Sequence, residues 1–133
     1  MSQVIILDTH IWIWFVTQEF SRFPNHWRDA IETAEQVGIS PISCFEVALA
    51  HQRGRLELPF AVGFWLQQAL EPSGISLFPI TPEIAYQAVN LSPIHRDPFD
   101  RLIIATAINA NAKLASIDGT FSLYSELNLI LMD

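Results

Sequence analysis

Four carboxylates, Asp8, Glu46, Asp100 and Asp118, stand where the chain passes from one element to the next. Asp8 closes the apolar run Val4-Ile5-Ile6-Leu7, Glu46 ends Ser43-Cys44-Phe45-Glu46, Asp100 follows Asp97-Pro98-Phe99, and Asp118 follows Ser116-Ile117. Gathered at one edge, four such groups repel one another and are driven toward protonation unless a cation lies between them. Oxygen ligands without His or Cys select a hard divalent ion, Mg2+ or Mn2+. Each acid taken alone has a structural explanation. Asp8 caps the helix after it, Glu46 completes a Ser-x-x-Glu capping box, Asp118 makes an Asp-Gly turn, and Asp100 gains from the positive end of a helix dipole.

The elements that must position these groups follow from patterning. Val4–Leu7 predicts a strand buried on both faces, and His10–Val16 a deeply packed helix carrying Trp12, Trp14 and Phe15. Trp27, Ala30, Ile31 and Ala34 repeat at helical spacing, so a helix is expected from Asn25 to Val37, stopped by Gly38, with a short strand at 38–40. Ser43 is expected to cap a helix reaching Gly54, and further helices are expected over 60–70 and from Thr81-Pro82-Glu83 to about Asn90. Strands are expected at 75–78, 113–117 and 129–131. Asp97-Pro98 reads as an N-cap followed by the first helical residue. That start puts Asp100 on the face of Ile104, Ala107 and Ile108, the buried side.

Strands alternating with helices over short connections make an α/β fold, a mostly parallel sheet of four to five strands with helices on both faces. Sites in such sheets lie beyond the carboxyl ends of the strands, near the point where strand order reverses. With 133 residues the chain fits one domain, 1–133. Charged residues are only 16% against roughly 25% in ordinary soluble domains, a surplus of apolar surface that suits a homodimer face or a groove for a partner helix. The net charge of -7 excludes a broad basic surface for nucleic acid but leaves an acidic site that recruits phosphate through cations. No apolar run reaches the ~20 residues of a membrane span, Asp8 comes too early for a signal peptide, and the single Cys44 suits a reducing compartment. A cytoplasmic location is therefore expected, with no membrane partner.

The stretches Leu7-Asp8-Thr9-His10, Ser43–Ala48, His95–Ala105 and Ser116–Phe121 resemble, in order and nearly end to end, the successive motifs of PIN-domain ribonucleases, above all the VapC-type toxins of bacterial toxin–antitoxin systems. The resemblance implies a PIN-like three-layer fold and an acidic site of Asp8, Glu46, Asp100 and Asp118, with Asp8 and Asp100 as direct metal ligands. It implies cleavage of RNA with Mg2+ or Mn2+ and inhibition by a cognate antitoxin. A bound ion would acidify a water and neutralise charge on the phosphate oxygens; Glu46 or Asp118 would hold a second ion, bind through water or orient the nucleophile.

Thr9, Arg53, Arg96 and Arg101 are the candidate substrate contacts, with Arg55 beside them, although Thr9 also suits a cap and exposed Arg residues also suit plain solvation. His10 and His95 fit docked, hydrogen-bonded residues as well as they fit bases, and Trp12, Trp14, Phe15 and Phe20 fit a core as well as a stacking surface. Two other functions compete: a receiver-type signalling module and a PIN-like interaction module without activity. The first calls for paired acids after the first strand and a Lys at the end of a later one, whereas Asp8 stands alone and Lys113 starts its strand. The second calls for a missing acid, and all four are present.

Overall fold

The computed structural model describes residues 3–94 and 97–133. Four parallel strands, β1 (Val4–Leu7), β2 (Gln36–Ile39), β3 (Ser76–Leu77) and β4 (Lys113–Ala115), form one sheet in the order β3-β2-β1-β4. The order reverses at β1, where β2 runs along one side and β4 along the other. Asp8 and Ser116 directly follow the carboxyl ends of the adjacent strands β1 and β4. Among the described residues six α-helices cover the faces: α1 (Thr9–Val16), α2 (Asn25–Thr33), α3 (Pro41–Gln52), α4 (Val62–Gln68), α5 (Pro82–Val89) and α6 (Pro98–Asn109).

Alternation along β1 makes two cores. Ile5 and Leu7 face α1 to α4 in a cluster with Trp12, Trp27, Val47 and Trp65, while Ile6 faces α5 and α6 with Ile84, Ile103, Ile104 and Tyr124. Strands buried on both sides need continuous apolar sequence, and the run from Ile5 to Leu7 is fully buried. Trp12, wholly buried, satisfies its indole N–H on the Ala69 carbonyl at 2.8 Å. Cys44 is a free thiol packed at the edge of the first cluster.

Three expectations are corrected. The helix from Asn25 ends at Thr33, because Ala34 turns extended, and the following residues leave to pair with β1 as Val4↔Gln36 and Ile5↔Val37. Gly38 is therefore a strand residue rather than a helix stop: a Cβ there would overlap the Phe78 ring and the Ser76 carbonyl. Second, α3 is capped by Ser40, whose Oγ accepts from the Ile42 N–H at 3.2 Å, with Pro41 as its first residue. Ser43 and Glu46 consequently lie inside the helix, one turn apart on one side, and make no capping box. Third, the last expected strand is a single bridge between Leu131 and Leu114, so the sheet has four strands.

Arg101, expected as a substrate contact, has a different place. Its guanidinium donates to the carbonyls of Ala88, Val89, Leu91 and Ser92 at 2.7–3.3 Å and approaches the Tyr124 hydroxyl at 3.5 Å. Ala88 and Val89 end α5 and Leu91 and Ser92 lie just past it, open carbonyls that a fixed fork of donors satisfies well. Arg101→Met should lower the unfolding free energy by about 3 kcal/mol, as expected when carbonyls lose a charged donor, measured by the shift in the urea midpoint.

Candidate active site

Asp8 sits at the carboxyl end of β1 and caps α1. Its Oδ1 accepts from the Thr9 N–H at 2.8 Å and its Oδ2 from the Ser116 hydroxyl at 2.8 Å, so the oxygens are oriented by the first residue of α1 and the residue after β4. Ser116 Oγ also accepts from the Asp118 N–H at 3.1 Å, linking the two acids through one hydroxyl. Thr9 does not cap: its hydroxyl donates to Glu46 Oε1 at 2.6 Å and lies 2.8 Å from the fully buried Ser43 hydroxyl, which then donates to it. The Ser43–Glu46 spacing thus serves to present both side chains to α1. Asp97 caps α6, its Oδ1 accepting from the Phe99 N–H at 2.9 Å, and so delivers Asp100 one residue later. The rings of Phe45 and Phe99 meet edge to face with centroids 5.2 Å apart, tying α3 to α6 immediately beside Glu46 and Asp100.

These acids lie near enough to act on one another through their charges. Burial pushes Asp8, Glu46 and Asp100 above the usual carboxylate range. For Asp100 the negative charges of Asp8, Asp97, Glu46 and Asp118 add to burial and carry it up to about 7. Asp8 and Asp97 likewise raise Glu46, and Asp118 raises Asp8. Asp97 is thus a fifth acid of the group. Asp118 is exposed, with Oδ1 held by the Thr120 N–H and hydroxyl at 3.0 and 2.7 Å, so it caps its turn and borders the cluster as well.

Among the described residues no three His, Cys, Asp or Glu side chains close into a compact metal cage. The donor set nevertheless fits a hard ion: it is all carboxylate, and Asp8, Glu46 and Asp100 are raised by burial and then by neighbouring negative charge. An ion such as Mg2+ keeps several waters and needs only one or two carboxylates plus substrate phosphate, which an open cluster provides.

A cleft of about 860 Å³ runs from Thr9 and Glu46 along α1 and α3. Arg53 and Arg55 line it, flanking Gly54, whose φ of 71° turns the chain as α3 ends. Arg96 and His95 lie outside the described residues. His10 is exposed in the cleft and its charge lowers Asp8 and Glu46, so it is no core residue. Lys113 donates to the Leu129 carbonyl at 2.7 Å, from the opposite end of β4, which removes the lysine a receiver site requires. Sequence reasoning missed the roles of Ser116, Phe45 and Phe99, because each depends on a partner distant in the chain.

Fold and site together define a three-layer α/β domain with an acidic centre at its topological switch point. Residues 5–127 match the PIN domain family. Ribonuclease VapC22 of Mycobacterium tuberculosis is 37% identical over 115 residues, 86% of each chain. Among solved structures, VapBC2 from Rickettsia felis bound to a promoter DNA fragment aligns at a TM-score of 0.68 with 18% identity, covering 98% of both chains. A toxin–antitoxin complex from Klebsiella pneumoniae aligns at 0.63 with 20% identity, over 97% of this chain and 96% of that one. The structural matches support the fold, and the sequence matches place the chain in the PIN domain family.

Asp100, ordinarily near 3.8, is raised to about 7 by folding, so its contribution to stability is full below 3.8 and is lost as pH rises through about 7. The metal-free protein should therefore melt at a higher temperature as pH falls across this window, and Asp100→Asn should flatten the dependence. Differential scanning calorimetry of both proteins in a chelator checks it.

Proposed function

We propose that this chain is a metal-dependent endoribonuclease, the toxin of a toxin–antitoxin pair, acting in the cytoplasm. The observation that carries the reading is the convergence of Asp8, Glu46 and Asp100, each pushed toward protonation, at the switch point of a PIN fold. The relative named as a ribonuclease and the relatives solved as toxin–antitoxin complexes support it. No helix among the described residues is long and apolar enough to cross a membrane.

Asp8 and Asp100 would hold Mg2+ or Mn2+. When bound, the ion supplies an acidified water and neutralises charge at the scissile phosphate. Ser116 and the Thr9 N–H fix the Asp8 carboxylate. The Ser43–Thr9–Glu46 chain fixes Glu46, which orients the attacking water or accepts its proton. Asp118, at the rim, binds through water or helps with a second ion. Thr9, with its hydroxyl engaged by Glu46, acts through that carboxylate, while Arg53 and Arg96 remain the proposed contacts to the RNA backbone. The partner is a cognate antitoxin, and the exposed apolar side chains Tyr86 and Val89 on α5 suit a homodimer face.

Purified protein freed of antitoxin should cleave RNA with Mg2+ or Mn2+ and stop with EDTA. Asp100→Asn should lose at least about a hundredfold in rate while keeping its fold, and equal cleavage by both proteins would remove the assignment. Asp97→Ala should lose about 1 kcal/mol of stability with the missing cap and retain part of the activity, measured by chemical denaturation alongside the cleavage assay.

A further inference from the structure

Three planar side chains form a row along the wall of the cleft, beginning next to the acidic cluster. His10 follows Thr9 in α1. One turn on, the Trp14 ring lies with its centroid 5.5 Å from the His10 ring, and the Arg22 guanidinium sits over Trp14 at 5.5 Å, held by Glu19 at 3.0 Å. All of these residues line the cleft that also contains Thr9 and Glu46. The chain carries seven Lys and Arg residues against a net charge of -7, yet three of the seven, Arg22, Arg53 and Arg55, line this cleft. Trp14 also differs from the other tryptophans. Trp12, Trp27 and Trp65 are no more than 2% exposed, whereas Trp14 is partly open to solvent.

We propose that the His10–Trp14–Arg22 row is a stacking platform for an unpaired nucleobase of the RNA strand, adjoining the scissile phosphate, with Arg53 and Arg55 meeting the backbone on the facing side. This rests on the nuclease reading above. Single-stranded RNA is bound by aromatic and guanidinium planes that stack its bases, combined with cations that follow its phosphates. The cleft offers both, in continuity with the acids. Trp14 thereby selects which linkage enters the site, because the base must leave its own stack to reach the platform.

The test uses the inactive Asp100→Asn protein, titrated with short oligoadenylate and oligouridylate single strands while tryptophan emission is recorded. With the other three indoles buried, binding should quench emission and shield it from iodide. In the active protein, Trp14→Leu should raise KM on the order of tenfold, the loss of one stacked base, and shift the cleavage-site preference, while kcat stays within about twofold. Trp14→Phe should restore most of the affinity, and Arg22→Gln, at an exposed position, should weaken binding in the same direction even if Trp14→Leu fails to fold. Unchanged emission on RNA binding, or unchanged KM and cleavage sites in the folded variants, overturns the platform. Loss of antitoxin binding with RNA cleavage intact also overturns it, assigning the row to the protein partner. Failure of the wild type to cleave any RNA with Mg2+ or Mn2+ would strike the nuclease reading instead, while the emission titration would still report on RNA binding.

Discussion

Carboxylates crowded together and partly removed from water resist ionisation, and the region beyond β1 is built to hold them there regardless. Asp8 is pinned through both oxygens, Glu46 through a buried hydroxyl relay, and Asp100 by the rigid entry to α6. Their anchors lie on four separate elements, so the groups cannot drift apart to relieve the repulsion without disturbing the packing. The resulting negative field is one that a cation would relieve.

The two cores serve that arrangement. A sheet buried on both faces fixes the strand ends relative to one another, and the reversal of order at β1 leaves a notch between the helices that leave β1 and β2 and the one that precedes β4. Phe45 against Phe99 closes the gap between α3 and α6 just where each helix carries its acid. Arg101, two residues past Phe99, ties α6 to the end of α5 and the turn after it.

Much of this was legible in the sequence, because caps and apolar periods are local. Asp97-Pro98 fixed where α6 starts and hence which way Asp100 faces, and Thr81-Pro82 did the same for α5. Where the reading went astray, a nonlocal partner decided. Gln36 and Val37 continue a helical period but have β1 to pair with, and Ser43-x-x-Glu46 has the spacing of a cap but Pro41 had already begun the helix. Arg101 could not be assigned from its neighbours in sequence, since its acceptors belong to another helix. Ser116 gave no signal until β4 was seen lying beside β1.

The strand order also sets when the cluster comes into being. β1 is made first and β2 pairs with it early, but its other neighbour, β4, begins only at Lys113, with Ser116 and Asp118 just beyond. Until then one side of β1 is bare, although Asp8, Glu46 and Asp100 have already been made. Pairing over so long a separation is slow, and domains close as units once their last element arrives. Asp8 at the end of β1 therefore gains its Ser116 partner only once β4 has joined the sheet.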